Sequence, residues 1–307
     1  MFLFIANHLI TLSLRCLAVK KSRAVGYAAL LTLTFLWGTT FPFIKIVVSS
    51  IGFSYYVLLR FSIASLLLLP IAYFRLKINF KETLWPGFVL GMLFLGGIEL
   101  QGLGMEYTTA SNAAFITGLS VVLVYVFEVA LGRERFTARL TLAVLLSVIG
   151  VYLLSTANSL YFRIGDLIVF IGAVFWAFQI IAVGIYARKY DLASLVFYEI
   201  LFTSIGALPI ALFFPAPTFE KLMFTLPSLL YLAVACTIVT NSLQLYGQKY
   251  VSSTQAAIIY LLEPVFAAIL SYLILGEVFT LKQTAGSVLI LLAMALSTIK
   301  TKGNHEG

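Results

Sequence analysis

Apolar residues occur in runs of about 20 along most of this chain, the length that crosses a bilayer as a helix. Apolar types make up 62% of the 307 residues and charged types 10%, where soluble proteins have roughly 45–50% and 25%. The ten-residue alternating segments of membrane barrels are absent from the sequence. The chain is therefore predicted to be an all-α integral membrane protein.

The runs predict ten transmembrane helices joined by short connections, none long enough for a soluble domain. The predicted spans are 24–44, 53–74, 84–106, 109–131, 138–156, 165–187, 191–214, 226–248, 251–275 and 281–299. The most polar connection is expected around Phe214–Pro227.

Lys and Arg are unevenly divided between the alternate connections. One set, with both termini, holds fifteen of the 20 basic residues and the other set holds four, while Arg60 lies inside a span. Because cytoplasmic segments carry the excess of Lys and Arg, we expect a multi-pass cell-membrane protein with both termini in the cytoplasm. The net charge of +8 then reflects topology, and no nucleic-acid partner is expected.

The chain matches itself in two frames, with offsets of 143 and 139 residues. Matched pairs include Gln101/Gln244, Gly104/Gly247, Tyr107/Tyr250, Glu134/Glu277, Phe136/Phe279 and Thr137/Thr280 in the first frame, and Gly26/Gly165, Trp37/Trp176 and Pro70/Pro209 in the second. The match predicts repeats at 24–156 and 163–300, between an N-terminal interfacial segment 1–23 and a tail 301–307.

Each half holds five predicted helices, and because five is odd the second half is inverted relative to the first. The predicted architecture is therefore ten transmembrane helices as two inverted five-helix repeats. Inverted repeats of this kind are typical of secondary transporters, where the halves exchange conformations around a central site.

Polar side chains inside the predicted spans are the candidate substrate pathway, because burying them in a bilayer is costly unless they have a partner or a watery cavity. Glu263 lies near the middle of its span, Arg60 in an outer half, and its repeat mate Glu199 in an inner half. The candidates are Trp37, Arg60, Gln101, Asn112, Trp176, Gln179, Glu199, Asn241, Gln244, Tyr260 and Glu263.

Several candidates also have structural interpretations. Glu263 precedes Pro264, so it could belong to a helix kink. Arg60 and Glu199 could form packing ion pairs or reach towards the interface, and Trp37 and Trp176 could be core residues.

Other function classes find little support. The only histidines, His8 and His305, lie in the terminal segments, and Cys16 and Cys236 are far apart. We therefore expect no catalytic residue, no metal and no cofactor. A channel would need a filter-like motif and would leave the repeat unexplained.

Several segments resemble the drug/metabolite transporter superfamily, and specifically its EamA family. The resemblance is carried by Trp37-Gly38 with Phe41-Pro42, Arg60-Phe61, Tyr107–Phe115, Gly132–Arg135, Gly165-Asp166, Leu262–Val265 and Leu275–Glu277, over roughly residues 24–300. It implies a bundle with a central cavity lined by both halves, exporting amino acids, related metabolites or drugs. Members often have a proline in helix 4, where this chain has Val121 and Tyr125, so the first half is expected to bend less there or differently.

We therefore predict a secondary transporter that exports a small-molecule substrate by alternating access. The predicted substrates are amino acids or related amphipathic solutes. The alternative substrates are sugars, nucleosides or drugs, and the alternatives from another class are an intramembrane enzyme or a channel. Besides the substrate, the expected partner is the lipid bilayer; the oligomeric state is left open.

Overall fold

The computed structural model describes residues 22–74, 80–155, 163–275 and 280–299, and these contain helices and turns but no strand. The helices are α1 Ser22–Gly38, α2 Thr40–Ile51, α3 Phe53–Phe74, α4 Phe80–Met105, α5 Ala110–Gly118, α6 Ser120–Ala130, α7 Ala138–Ser155, α8 Ile164–Tyr186, α9 Leu192–Ala211, α10 Phe219–Ala233, α11 Thr240–Tyr250, α12 Ser253–Tyr260, α13 Glu263–Leu275 and α14 Leu281–Thr298. A π-helical turn, Val234–Val239, joins α10 to α11. The tail 301–307 and all but the last two residues of the interfacial segment 1–23 lie outside the described residues.

Seven helical segments in the described part of the chain are long and apolar enough to cross a membrane. They are Phe53–Pro70, Lys81–Met105, Asn112–Ala130, Ile164–Tyr186, Leu192–Ala211, Phe219–Tyr250 and Leu281–Thr298. Taken as one span, the bent pair α1 and α2 brings the number to eight, and α7 is a shorter apolar helix. The fold is that of a multi-pass helical membrane protein.

Proline explains two of the helix interruptions. The axis bends by 42° between α1 and α2, and α1 ends at Gly38, four residues before Pro42. In the same way α12 ends at Tyr260, four residues before Pro264. A proline ring clashes with the carbonyl four residues earlier, so each helix breaks where that clash falls.

The corresponding stretch of the first half contains no proline and is less interrupted. Only Leu119, with φ −64° and ψ −13°, separates α5 from α6, and Asn112–Ala130 remains one continuous apolar segment. One residue thus separates the two helices here, where Leu261 and Leu262 separate α12 from α13.

The connection predicted around Phe214–Pro227 is shorter than expected. Helix α10 begins at Phe219, before the predicted span start at 226, because the Thr218 side chain accepts a hydrogen bond from the Lys221 backbone N–H and caps the helix. Glu220 in the first turn also favours a helix start there.

Glycines bring pairs of helices into backbone contact. A Cβ on Gly165 would lie 2.5 Å from the Gly104 carbonyl oxygen, and a Cβ on Gly26 would lie 3.2 Å from that of Gly247. These contacts join α8 to α4 and α1 to α11. Small residues permit this close approach of helices in membranes.

Two apolar cores fill the bundle, and each combines residues from before 156 and after 163. One contains Phe61 and Phe94 together with Leu195 and Leu232. The other contains Leu30, Val121, Val144, Ile258 and Ile290. The two sequence halves therefore pack against each other throughout the bundle.

Candidate functional site

Arg60 projects from α3 into the interior of the bundle, where 6% of it is exposed. Its Nη1 donates to the Tyr56 hydroxyl at 2.5 Å, its Nε donates to Thr237 Oγ1 at 2.6 Å, and its Nη2 donates to the Cys236 carbonyl oxygen. Every nitrogen of this guanidinium thus has an acceptor, which offsets the cost of burying the charge.

The π-helical turn supplies two of these acceptors. Thr237 lies in the turn and donates from its hydroxyl to the carbonyl oxygen of Leu232, five residues earlier, at 2.9 Å. Such turns inside α-helices often occur at functional sites. Here the turn presents a backbone carbonyl and a hydroxyl to Arg60.

Glu263 begins α13 and is half-buried next to this arginine. It interacts electrostatically with Arg60 and also with Tyr56 and Cys236. We call these residues, with Thr237, the Arg60 cluster. In this cluster the Glu263 carboxylate carries the charge opposite to that of the Arg60 guanidinium.

A second group of buried polar side chains connects α8, α9, α11 and α12. Gln179 Nε2 donates to Glu199 Oε1 at 2.8 Å, and Gln244 Nε2 donates to Gln179 Oε1 at 3.1 Å. Tyr260 donates from its hydroxyl to Gln248 Oε1 at 3.0 Å, and Gln248 Nε2 donates to the Ile180 carbonyl oxygen at 2.7 Å. Gln179, Glu199, Gln244, Gln248 and Tyr260 form the amide cluster.

Two buried polar atoms beside this network have no hydrogen-bond partner. They are Glu199 Oε2 and Asn241 Nδ2. Asn241 lies one helical turn before Gln244, so it is on the same face of the helix. Buried polar groups are nearly always paired, so this acceptor and this donor are each open to a water molecule or a ligand.

Aromatic rings flank the amide cluster. The rings of Trp37 and Tyr260 meet edge to face with centroids 5.4 Å apart. Trp176 packs against Phe94 at 4.8 Å and donates from Nε1 to Gln101 Oε1 at 3.3 Å. An apolar solute carrying a few polar groups would match this combination.

The structure therefore brings most of the candidate residues into connected groups. The amide cluster contains Gln179, Glu199, Gln244 and Tyr260, with Trp37 against Tyr260 and Asn241 on the face of Gln244. The charge of Arg60 acts on Glu263, and Trp176 donates to Gln101.

Asn112 lies apart from these groups, at a helix start. Its backbone N–H donates to Thr109 Oγ1 at 3.1 Å, and its side chain hydrogen-bonds Asp166. Asp166 also accepts from the Thr108 hydroxyl at 2.5 Å. Asn112 thus helps to join the starts of α5 and α8.

Some cluster members were not among the candidates, although the sequence contains partial signals for them. Tyr56 precedes Arg60 by four residues and Gln248 follows Gln244 by four, so helical periodicity could have added both. Thr237 and the Cys236 carbonyl are presented by a π-helical turn, for which the sequence has no comparable signal.

A shallow cavity of about 350 Å³ lies at one end of the bundle. It is lined by Ser50–Tyr55, Glu106, Phe214–Thr218 and Lys221. None of the candidate residues lines it, so it is distinct from the buried clusters.

A family model describing the EamA-like transporter family matches residues 24–156 and again 163–299. The chain belongs to this family. It is accordingly a membrane transporter and not an enzyme.

Relatives of this EamA-like chain are named transporters. An uncharacterized transporter of Archaeoglobus fulgidus is 34% identical over 86% of this chain and 83% of its own length. The uncharacterized transporter YyaM of Bacillus subtilis is 25% identical over 87% of this chain and 92% of its own. These names do not specify a substrate.

The same fold occurs in a solved crystal structure. It superimposes with a TM-score of 0.74 over 91% of this chain and 96% of that one, at 18% identity. The likeness shows that the arrangement of helices is shared.

Proposed function

We propose that this EamA-like transporter exports small amphipathic metabolites, amino acids or related solutes, across the cell membrane by alternating access. The observation that carries the proposal is the pair of buried polar clusters inside an apolar bundle. Polar groups are expensive at membrane depth unless they serve a pathway or a partner. Glu199 Oε2 and Asn241 Nδ2 have no protein partner to explain them.

An architecture of ten spans in two inverted repeats is part of the proposal. Two helix contacts support it. Gly26 touches Gly247 and Gly165 touches Gly104, while Gly26 matches Gly165 and Gly104 matches Gly247 in the internal alignment. The two contacts are therefore equivalent under the repeat, as a pseudo-twofold axis would require.

The solute class follows from the charges and rings of the clusters. Arg60 is the one basic residue deep inside a predicted span, since Arg139 and Lys282 lie at the ends of theirs. Its guanidinium is already held by protein acceptors. A phosphate-bearing substrate would call for further cations. Trp37, Trp176 and Tyr260 favour a partly apolar solute.

The orientation is proposed from the distribution of basic residues, which sets both termini in the cytoplasm. Under it, the Arg60 cluster lies in the outer half of the bundle and Glu199 in the inner half. A substrate leaving the cell would meet the amide cluster first.

Purified protein in liposomes tests the proposal through uptake of a radiolabelled amino-acid panel, with and without a pH gradient. We expect saturable, competable uptake of at least one amino-acid class above that of empty liposomes. Uptake of sugars, nucleosides or drugs but not of amino acids would keep the transporter function and change the proposed substrate class. Uptake equal to that of empty liposomes for every compound would contradict the proposed function.

A further inference from the structure

We propose that Glu199 binds the ammonium group of the substrate through its free oxygen, Oε2. This inference rests on the proposed function and adds a binding residue and a required chemical group. It begins from a difference between the carboxylates of Glu263 and Glu199. Glu263 faces Arg60, while Glu199 occupies the repeat-equivalent position of Arg60 in the other half.

Glu199 is fully buried in α9, and one of its two oxygens is unused. Oε1 accepts from Gln179 Nε2 at 2.8 Å, and Oε2 is buried without a partner. A carboxylate can accept about four hydrogen bonds. The open oxygen is therefore a free acceptor on a residue of the amide cluster.

The donors beside Glu199 are committed elsewhere. Gln244 Nε2 donates to Gln179, Gln248 Nε2 donates to the Ile180 carbonyl, and the Tyr260 hydroxyl donates to Gln248. Each of these donors is directed at another acceptor in the structure, and none of them donates to Oε2. A donor from outside the protein would satisfy Oε2 without moving any of them.

Within the described part of the chain, no Lys or Arg pairs with Glu199. Its contacts there are with neutral groups: Gln179 from α8 and, electrostatically, Tyr260 from α12. Arg60 is held by Tyr56 and Thr237. A cationic donor is therefore the ligand chemistry that the site lacks, because a buried carboxylate is stabilised by a paired opposite charge.

The surroundings also favour an ammonium attached to an apolar group. Tyr260 and Trp37 place two rings on one side of the cluster, and aromatic faces attract ammonium ions. Asn241 Nδ2, the unpartnered donor near Gln244, would bind an oxygen of the same ligand. Arylalkylamines and amino acids carry this combination of groups.

Thermal unfolding of the detergent-purified full chain tests the proposal with matched probes. The pairs are 2-phenylethylamine with 2-phenylethanol, and phenylalanine with 3-phenylpropanoate. In the wild type we expect the amines to raise the unfolding temperature at concentrations at least tenfold lower than their partners without nitrogen. Equal responses within each pair, or no response to the amines, would overturn the proposal without using any variant.

The variant Glu199→Gln supplies a second test. It is expected to lose the amine preference, and Glu199→Asp to restore part of it. Glu220→Gln, which removes a carboxylate from an exposed position, is expected to keep the full preference. Retention of the preference in Glu199→Gln would overturn the proposal.

Uptake into liposomes separates this inference from the proposed function. Transport that does not depend on the amine would refute the role of Glu199 and leave the transporter in place. Absence of any transport would instead count against the proposed function.

Discussion

At the scale of single residues, Arg60 is the charge whose burial depends on the most partners. Replacing it by Met removes the donor to Tyr56, Thr237 and the Cys236 carbonyl, and the cation facing Glu263. We expect Arg60→Met to lower the free energy of unfolding by about 3 kcal/mol, as for other broken buried pairs. Denaturation in detergent measures the change.

Tyr56→Phe is the control, because it removes a single hydrogen bond from Arg60 and should cost only about 1 kcal/mol. Equal losses of unfolding free energy in Arg60→Met and Tyr56→Phe would show that the partners of Arg60 other than Tyr56 contribute little.

A pH effect is expected from Glu134, in the connection between α6 and α7. Burial raises the pKa of this carboxyl, against smaller opposing effects from hydrogen bonds with Ser252 and the Arg135 backbone. The folded state therefore holds the proton to higher pH than the unfolded state, whose value is near 4.5. The contribution of Glu134 to stability should decrease as pH rises from that value through the folded pKa.

Glu134→Gln should flatten this part of the stability curve, measured as unfolding temperature against pH. The exposed Glu220→Gln should keep the wild-type slope. An unchanged slope in Glu134→Gln would contradict the expectation.

At the scale of helices, the paired glycine contacts differ in clearance although the repeat relates them. A Cβ on Gly165 would lie 2.5 Å from the Gly104 carbonyl oxygen, and one on Gly26 would lie 3.1 Å from the Tyr250 Cβ and 3.2 Å from the Gly247 oxygen. Gly165→Ala should therefore destabilise the protein by about 1–3 kcal/mol, and Gly26→Ala by less. Measuring the unfolding free energy of both variants checks which one is destabilised more. A larger loss in Gly26→Ala than in Gly165→Ala would contradict the two helix contacts described.

A group of hydrogen bonds joins α1, α12 and α14, and we call it the latch. Arg23 Nη2 and the Tyr27 hydroxyl both donate to Gln255 Oε1, at 3.2 and 2.9 Å, and Gln255 Nε2 donates to the Ser297 carbonyl oxygen at 2.5 Å. Gln255→Met keeps the side-chain size and removes all three bonds. We expect it to increase opening at this end, because less energy then holds the three helices together.

The opening is measured by the rate at which a maleimide labels a cysteine placed at the buried Ser253, with Cys16 and Cys236 replaced by Ala. The rate should rise several-fold in Gln255→Met. Thr32→Val, which removes a hydrogen bond within one helix, should leave it unchanged. Equal labelling in the latch variant and its parent would show that the latch does not hold this end closed.

Helical periodicity and proline chemistry made part of the helix arrangement predictable from the sequence. The three-residue spacing of the candidates Asn241 and Gln244 places both on one buried face, and the kink considered at Pro264 corresponds to the end of α12. The π-helical turn was not predictable, because its acceptors are used by Arg60 from a helix far away in sequence. Asn112 joined a helix-end network because Thr109 and Asp166 lie beside it, a tertiary contact that no local pattern reveals.

At the scale of the whole molecule, composition alone was enough to predict a multi-pass helical protein. It could not predict which polar side chains meet, because that depends on how spans distant in sequence pack. Arg60 and Glu199 match in the internal alignment, yet one is held by four partners and the other by a single amide. The repeated scaffold therefore carries two chemically different clusters.

A carrier that works by alternating access should show counterflow. Liposomes containing the protein are loaded with an unlabelled amino acid that the uptake panel has identified, and entry of the labelled form is followed. We expect faster entry into loaded vesicles than into vesicles without internal substrate, because substrate on both sides drives exchange. Entry that is unaffected by loading and does not saturate would contradict it and would favour a channel.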